Sequence, residues 1–346
     1  MKILTASLLL AAVPAGSALS TDYKAERALR FEIETELKLE TTTMEIERDG
    51  ERTDAPSGGS SHVRRKEVHV DHVIEVKDGQ PTKVRRAFES VGGKSEVEFG
   101  EQTRESDIES PLEGVTLEIV RGEGKVESSA VEGGSPPAKS LEGHRTEAFL
   151  DALLPEGEVK ADETWDLDTD AVRRALRLDV SGALYPPPER AEGGGEEGGG
   201  GRRRGGMRGM GGDAGLLSRA EWKGTAKLVS LDHDLAGTPC AEIEVKLEAS
   251  GDLPEPERGG GRGERAYEPE SLAFPAATST YQIALEGKFL FAVKARRPVS
   301  LELEGTARLE RQNEMKRGES TMRIHVVQEG AVSIKVEVAE AAHEEK

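Results

Sequence analysis

The chain is poor in several residue types, and each scarcity excludes something. It has 346 residues but one cysteine, one asparagine and only 4% aromatics. Cys240 alone cannot close an intramolecular disulfide, so the fold must stand on its hydrophobic core rather than on covalent staples. Its setting, Cys240-Ala241-Glu242-Ile243-Glu244-Val245, predicts a small core filler in a strand rather than a nucleophile. Asn313 is followed by Glu314 and Met315, so no N-glycosylation acceptor exists. With so few aromatics, Trp165 and Trp222 are expected to anchor the core rather than to form sugar-stacking platforms. No Gly-x-Ser-x-Gly occurs, which excludes the nucleophile elbow of the α/β-hydrolases.

Apolar runs are short as well. Ile3 to Val13 is the longest near the start, about half of the roughly 20 residues needed to cross a bilayer. Lys2 before it and small residues after it give the pattern of a Sec-type signal peptide over residues 1–20. The cut is expected before Thr21, with a cut after Ala18 as the alternative. No cysteine stands near the junction for lipid attachment, and no later segment is apolar enough to span a membrane, so a free periplasmic or extracellular protein is expected.

Charge is abundant and mostly negative. The formal charge of −19 repels nucleic acid and anionic headgroups, and it favours cations or basic partners. No nucleic-acid partner is therefore expected, in spite of the Arg-Gly stretch at 202–212, which reads as solvated low-complexity sequence.

Period-two alternation organises the rest and predicts strands with one buried face. Leu29, Phe31, Ile33, Leu37 and Leu39 share one parity; so do Val68, Val70, Ile74 and Val76, up to a turn at Lys77–Pro81. Val115, Leu117 and Ile119 precede a hairpin candidate at Arg121–Gly124, and weaker strands lie around Val84–Phe88 and Val97–Phe99. Ile243–Leu247, Ile283–Val293, Val299–Leu309 and Met322–Val338 continue the pattern. Their opposite parity is charged, as in antiparallel sheets with one wet face. The expected fold is therefore mainly β: a large curved antiparallel sheet, as a half-barrel or open barrel. Two short helices, at Arg145–Leu154 and at Thr169–Leu178 capped by Asp168 or Thr169, would cover its concave face. Asp49–Ser61, Pro186–Gly212 and Asp252–Pro269 read as unstructured. This gives an N-terminal β-rich region over 22–185, a Gly/Arg-rich linker or loop over 186–213, and a C-terminal antiparallel region over 214–346. The Gly/Arg-rich segment either separates two domains or is a long loop within one sheet shared by both β regions.

No catalytic, metal or cofactor residue can be assigned. Gly92-Gly93-Lys94-Ser95 ends like a phosphate-binding loop, but Phe88 stands where the first glycine belongs, and a hairpin turn is expected instead. His69, Asp71 and His72 come nearest to a metal cluster, yet 69 and 72 point to opposite faces of a strand. Asp232-His233-Asp234 offers one imidazole in an expected turn. Carboxylate pairs are too numerous for any one to mark glycosidase chemistry.

The run from Leu153-Leu154-Pro155 to Ala161-Asp162-Glu163-Thr164-Trp165, followed by a short helix and later strand pairs, resembles uncharacterised secreted β-rich proteins of bacterial envelopes, a likeness covering about a tenth of the chain. They carry a Leu-Pro turn before a Gly-Asp-Thr-Trp-like stretch, with Ala161 here at the glycine position. A looser analogy of architecture is to periplasmic lipoprotein-carrier half-barrels. The expectation is a non-catalytic exported envelope protein, either binding an apolar ligand in the sheet's concavity or acting as an interaction scaffold. A hydrolase using sheet carboxylates is the alternative.

Overall fold

The computed structural model describes residues 17–54, 58–186, 215–253, 278–317 and 320–341. The chain is mainly β. A two-stranded ladder pairs β1 (Ser17–Ala18) with β9 (Glu158–Val159). All other strands among the described residues join one antiparallel sheet of 13. From one edge it runs β10 (Thr164–Leu167), β11 (Trp222–Leu235), β12 (Thr238–Asp252), β13 (Thr278–Ala292), β14 (Arg297–Arg317) and β15 (Ser320–Glu340). It continues through β2 (Ala28–Arg48), β4 (Gly59–Lys77), β5 (Gln80–Phe99) and β7 (Thr116–Arg121) to β8 (Val126–Glu132). Short strands β3 (Glu51–Asp54) and β6 (Gln102–Glu109) add to β2 and β5. The sheet does not close into a barrel, and the β15–β2 pairing makes one sheet of both β regions.

Consecutive strands are joined by tight turns where the sequence allows φ > 0 at two successive residues. Asp78-Gly79 (φ 52° and 75°) and Ala236-Gly237 (φ 49° and 84°) are two-residue hairpin loops of this kind. Curvature has a sequence cause too. On the inner face, Gly287, Gly305 and Gly330 step diagonally across β13, β14 and β15. A Cβ at any of them would lie 1.8 Å from a carbonyl oxygen of the neighbouring strand. Only glycine permits that approach, and glycine kinks of this kind let a sheet curl around its core.

The core lies between the inner face and a cover of short helices. Leu29, Phe31, Ile33, Leu37 and Leu39 of β2 are buried there, as the alternation predicts, with the inward rows of β12–β15. The cover consists of 3-10 turns at Ala138–Leu141 and Phe149–Leu153, then α1 (Thr169–Ala175), α2 (Ser181–Leu184) and α3 (Leu216–Arg219). The Asp168 carboxylate caps α1 by accepting from the Ala171 N–H at 2.7 Å. Trp222 is buried and its indole N–H donates to the Leu217 carbonyl; Trp165 is half-buried and donates to that of Leu153. Cys240 is buried and free.

Several local expectations are corrected. The helix expected over 145–154 is a 3-10 turn of five residues, Phe149–Leu153, ended at Leu154, which is extended before Pro155. Gly92 and Gly93 are not a turn: they lie inside β5, where Gly93 passes so close to Arg64 that a Cβ would sit 2.2 Å from its carbonyl oxygen. Asp232–Asp234 belongs to β11, with the turn displaced to Ala236-Gly237. Part of Asp49–Ser61 is strand, in β3 and the start of β4. Residues 187–214 and 254–277, which hold nearly all of the other two low-complexity segments, lie outside the described residues.

Candidate functional site: a buried charged chain under the helical cover

Strand β4 departs from the rest of the sheet. Its apolar residues Val68 and Val70 face away from both core clusters, and its odd-numbered residues Glu67, His69 and Asp71 face inward. The register fixes this, since His69 lies directly opposite Phe31 of β2 and Phe88 of β5. The sequence reading had the opposite face inward. Val68 and Val70 are buried all the same, on the outer face, beside Arg30 and Glu32, which pair with Glu89 and Lys66. An irregularity in pairing at Ile74 resets the alternation, so Val76 alone of the four expected residues packs against the core.

Five side chains form a continuous buried row. Asp71 takes a two-pronged grip from its cross-strand neighbour Arg86, with Nε–Oδ1 and Nη2–Oδ2 both at 2.7 Å. At the other end Arg177 Nη2 donates to Glu67 Oε1 at 2.6 Å. His69 stands between the carboxylates, Nδ1 2.9 Å from Glu67 and Nε2 3.8 Å from Asp71, with neither nitrogen in a well-aligned hydrogen bond. Its ring stacks on Phe31 at 5.0 Å. Phe149 of the cover tilts over both rings, and the Arg177 guanidinium lies 5.4 Å above Phe149.

Burial opposes ionisation of every group in the row, and pairing overrides it for the carboxylates. Burial pushes Glu67 up, but the Arg177 guanidinium holds it far below the usual range. Burial likewise pushes Asp71 up, and Arg86 brings it below its ordinary value. Burial drives His69 down in spite of the carboxylates on both sides, so its imidazole is neutral near pH 7. Two carboxylates therefore face two guanidiniums with no net charge. His144, whose Nε2 lies 3.0 Å from the Ser140 carbonyl oxygen, is pushed down to about 3 by burial and by Arg86 and Arg177.

The row ties the cover to the sheet. Arg177 closes α1 in the left-handed region (φ 58°), where glycine is usual. Its N–H bonds the Arg174 carbonyl and that of Leu178 the Arg173 carbonyl, the two bonds of a Schellman turn. A side chain in that conformation costs on the order of 1 kcal/mol. The Glu67 pair holds it there. Arg86 reaches the carbonyl of Arg145 in the cover, and the Tyr185 hydroxyl lies 3.5 Å from that of Lys66.

A carboxylate–imidazole–carboxylate row is general acid–base equipment in an open site. Here it is closed. The adjoining cavity, between Glu67, Arg177, Arg65 and Tyr185, measures about 40 Å³, room for a few waters and no substrate. Among the described residues no three His, Cys, Asp or Glu side chains converge to hold a metal ion. His72 is half-buried on the outer parity, as the spacing predicts, but the same rule brings 67, 69 and 71 together. Strand parity alone therefore points to Glu67, His69 and Asp71 as neighbours, whereas Arg86 and Arg177 carry no local signal.

A second buried carboxylate lies nearer the N-terminus. Asp151 accepts from Thr21 Oγ1 at 2.5 Å and from the Tyr23 hydroxyl, which itself accepts from the Ala148 N–H at 2.7 Å. Burial raises its pKa to about 6 against these donors. The outer face of the sheet is open by contrast. Across β12–β15 runs a groove of about 1260 Å³, lined by six glutamates, among them Glu302 and Glu304, against Lys246 and Lys288.

No protein-family model matches the sequence, and no curated protein matches it either. Among solved structures, one described as "lipid-protein interactions in lipovitellin" aligns over 93% of this chain and 26% of its own, at 9% identity and a TM-score of 0.31. The chain thus spans about a quarter of that protein, and a likeness so loose carries no argument about function.

Proposed function

We propose that this is a non-catalytic, exported protein of the bacterial envelope that acts as an interaction scaffold, offering the acidic outer face of β12–β15 to a cationic partner. One contrast carries the reading: the inner face is filled by the protein's own side chains, while the outer face presents an open groove lined by six glutamates against two lysines. A filled interior favours the scaffold over an apolar-ligand carrier. Convergent carboxylates that are buried and paired, rather than solvent-facing, favour it over a hydrolase.

The test is salt-dependent binding of an oligolysine peptide to the purified mature protein, read by fluorescence anisotropy. Glu302→Lys with Glu304→Lys is expected to weaken binding at least tenfold, with the fold unchanged by circular dichroism. Equal affinity in the variant, together with envelope lipid retained by the parent in native mass spectrometry, would replace the scaffold with the carrier.

A further inference from the structure

The sequence pattern of the leader leaves two cutting points, before Thr21 and after Ala18, and the fold speaks against both. A leader discarded after export has no part in the mature structure. Residues 17–23, however, are built into it. Ser17-Ala18 forms an antiparallel ladder with Glu158-Val159. Leu19 is 2% exposed and belongs to the main core cluster. Ser20 accepts hydrogen bonds from Arg296 through both its carbonyl and its hydroxyl, and the Asp22 N–H bonds the Arg296 carbonyl at 2.8 Å. Thr21 and Tyr23 both donate to Asp151. A cut before Thr21 or after Ala18 would remove β1, and the former would remove a core leucine as well.

We propose that the leader is cut between Ala15 and Gly16, a processing site that rests on the export reading above. Water adds across the Ala15–Gly16 amide, leaving a carboxylate on Ala15 and an ammonium on Gly16. The enzyme class is a membrane-bound signal peptidase, which needs compact residues one and three positions before the cut; Ala15 and Val13 stand there. The apolar run Ile3–Val13 then ends at the cleavage region, and Ser17–Tyr23 stay with the fold.

The full-length chain is expressed in a Gram-negative host, and the exported protein is read by intact mass and N-terminal sequencing. A mature chain starting at Gly16 is expected. Any other start in an exported, shortened chain overturns this site and leaves export standing. A chain still beginning at Met1 and held in the cytoplasm overturns export itself, and the site with it. Two variants separate the cutting points further. Ala18→Arg, at an exposed position, should be processed like the parent, since Ala18 flanks both competing cuts but not this one. Ala15→Arg should accumulate precursor. The reverse pattern overturns the proposal.

Discussion

The two flanks of the inner face reach burial by opposite means. On the β12–β15 flank, Val245, Leu285, Phe289, Leu303 and Ile334 fill most of the space with apolar side chains. On the β4–β5 flank, Glu67, His69, Asp71 and Arg86 occupy equivalent inward positions, and Arg177 completes the row from the cover. Apolar burial is non-directional and tolerates sliding. A row of paired charges does not, since each group is satisfied only by its own partner at one distance. The second flank is where the short helices must dock in one register, and the charged row fixes that register.

The contrast is broken most sharply by removing one charge. Arg86→Met leaves Asp71 buried and unpaired, which should cost about 3–5 kcal/mol in chemical unfolding. Asp71→Leu alone should cost a similar amount. The double variant should recover most of the loss, because two apolar residues replace a neutral pair. If each single change costs under about 1 kcal/mol, the row is not closed to water and the contrast fails. On the other flank Leu303→Ala should cost about 2–5 kcal/mol through a cavity, with no such rescue by a second site.

The response to pH separates the groups by sign. Glu67 and Asp71 have depressed pKa values, so the stability they contribute is present above their unfolded values and is lost as pH falls. Asp151 is the reverse. Its folded pKa is raised from 3.8 to about 6, so its contribution is complete below 3.8 and is lost as pH climbs towards 6. The loss amounts to about 3 kcal/mol at most. Asp151→Asn removes that titration, so the variant should gain on the parent by up to this amount between pH 4 and pH 8. Thermal unfolding at the two pH values measures it, and parallel profiles would remove the raised pKa.

How much of this was legible in the sequence follows from the same contrast. The rows of β2 and β12–β15 could be read because one parity was apolar and the other charged, so alternation alone gave the buried face. In Glu67-Val68-His69-Val70-Asp71 it gave the strand and the wrong face, since the pairing that makes the charges buriable comes from Arg86 and from Arg177, 110 residues from Glu67. Gly92-Gly93 failed for a related reason: two glycines signal a turn locally, and only the close passage of β6 at Gly92 and of β4 at Gly93 explains them inside a strand. Long-range partners decide both cases, and alternation contains no information about them.

The smallest expected effect tests that inversion directly. Val73 and Ile74 are adjacent, both β-branched, and by the expected parity Ile74 belongs in the core and Val73 outside it. The structure reverses them: Val73 is 4% exposed within the main cluster and Ile74 is 38% exposed. Placing a hydroxyl at each position reads the face without disturbing strand propensity, because threonine is β-branched as well. Val73→Thr should cost about 1–3 kcal/mol for a buried hydroxyl. Ile74→Thr should stay within about 0.5 kcal/mol of the parent. Chemical unfolding of both variants gives the difference. A larger loss at Ile74 than at Val73 would return β4 to its expected face and dissolve the buried row, since Glu67, His69 and Asp71 share the parity of Val73.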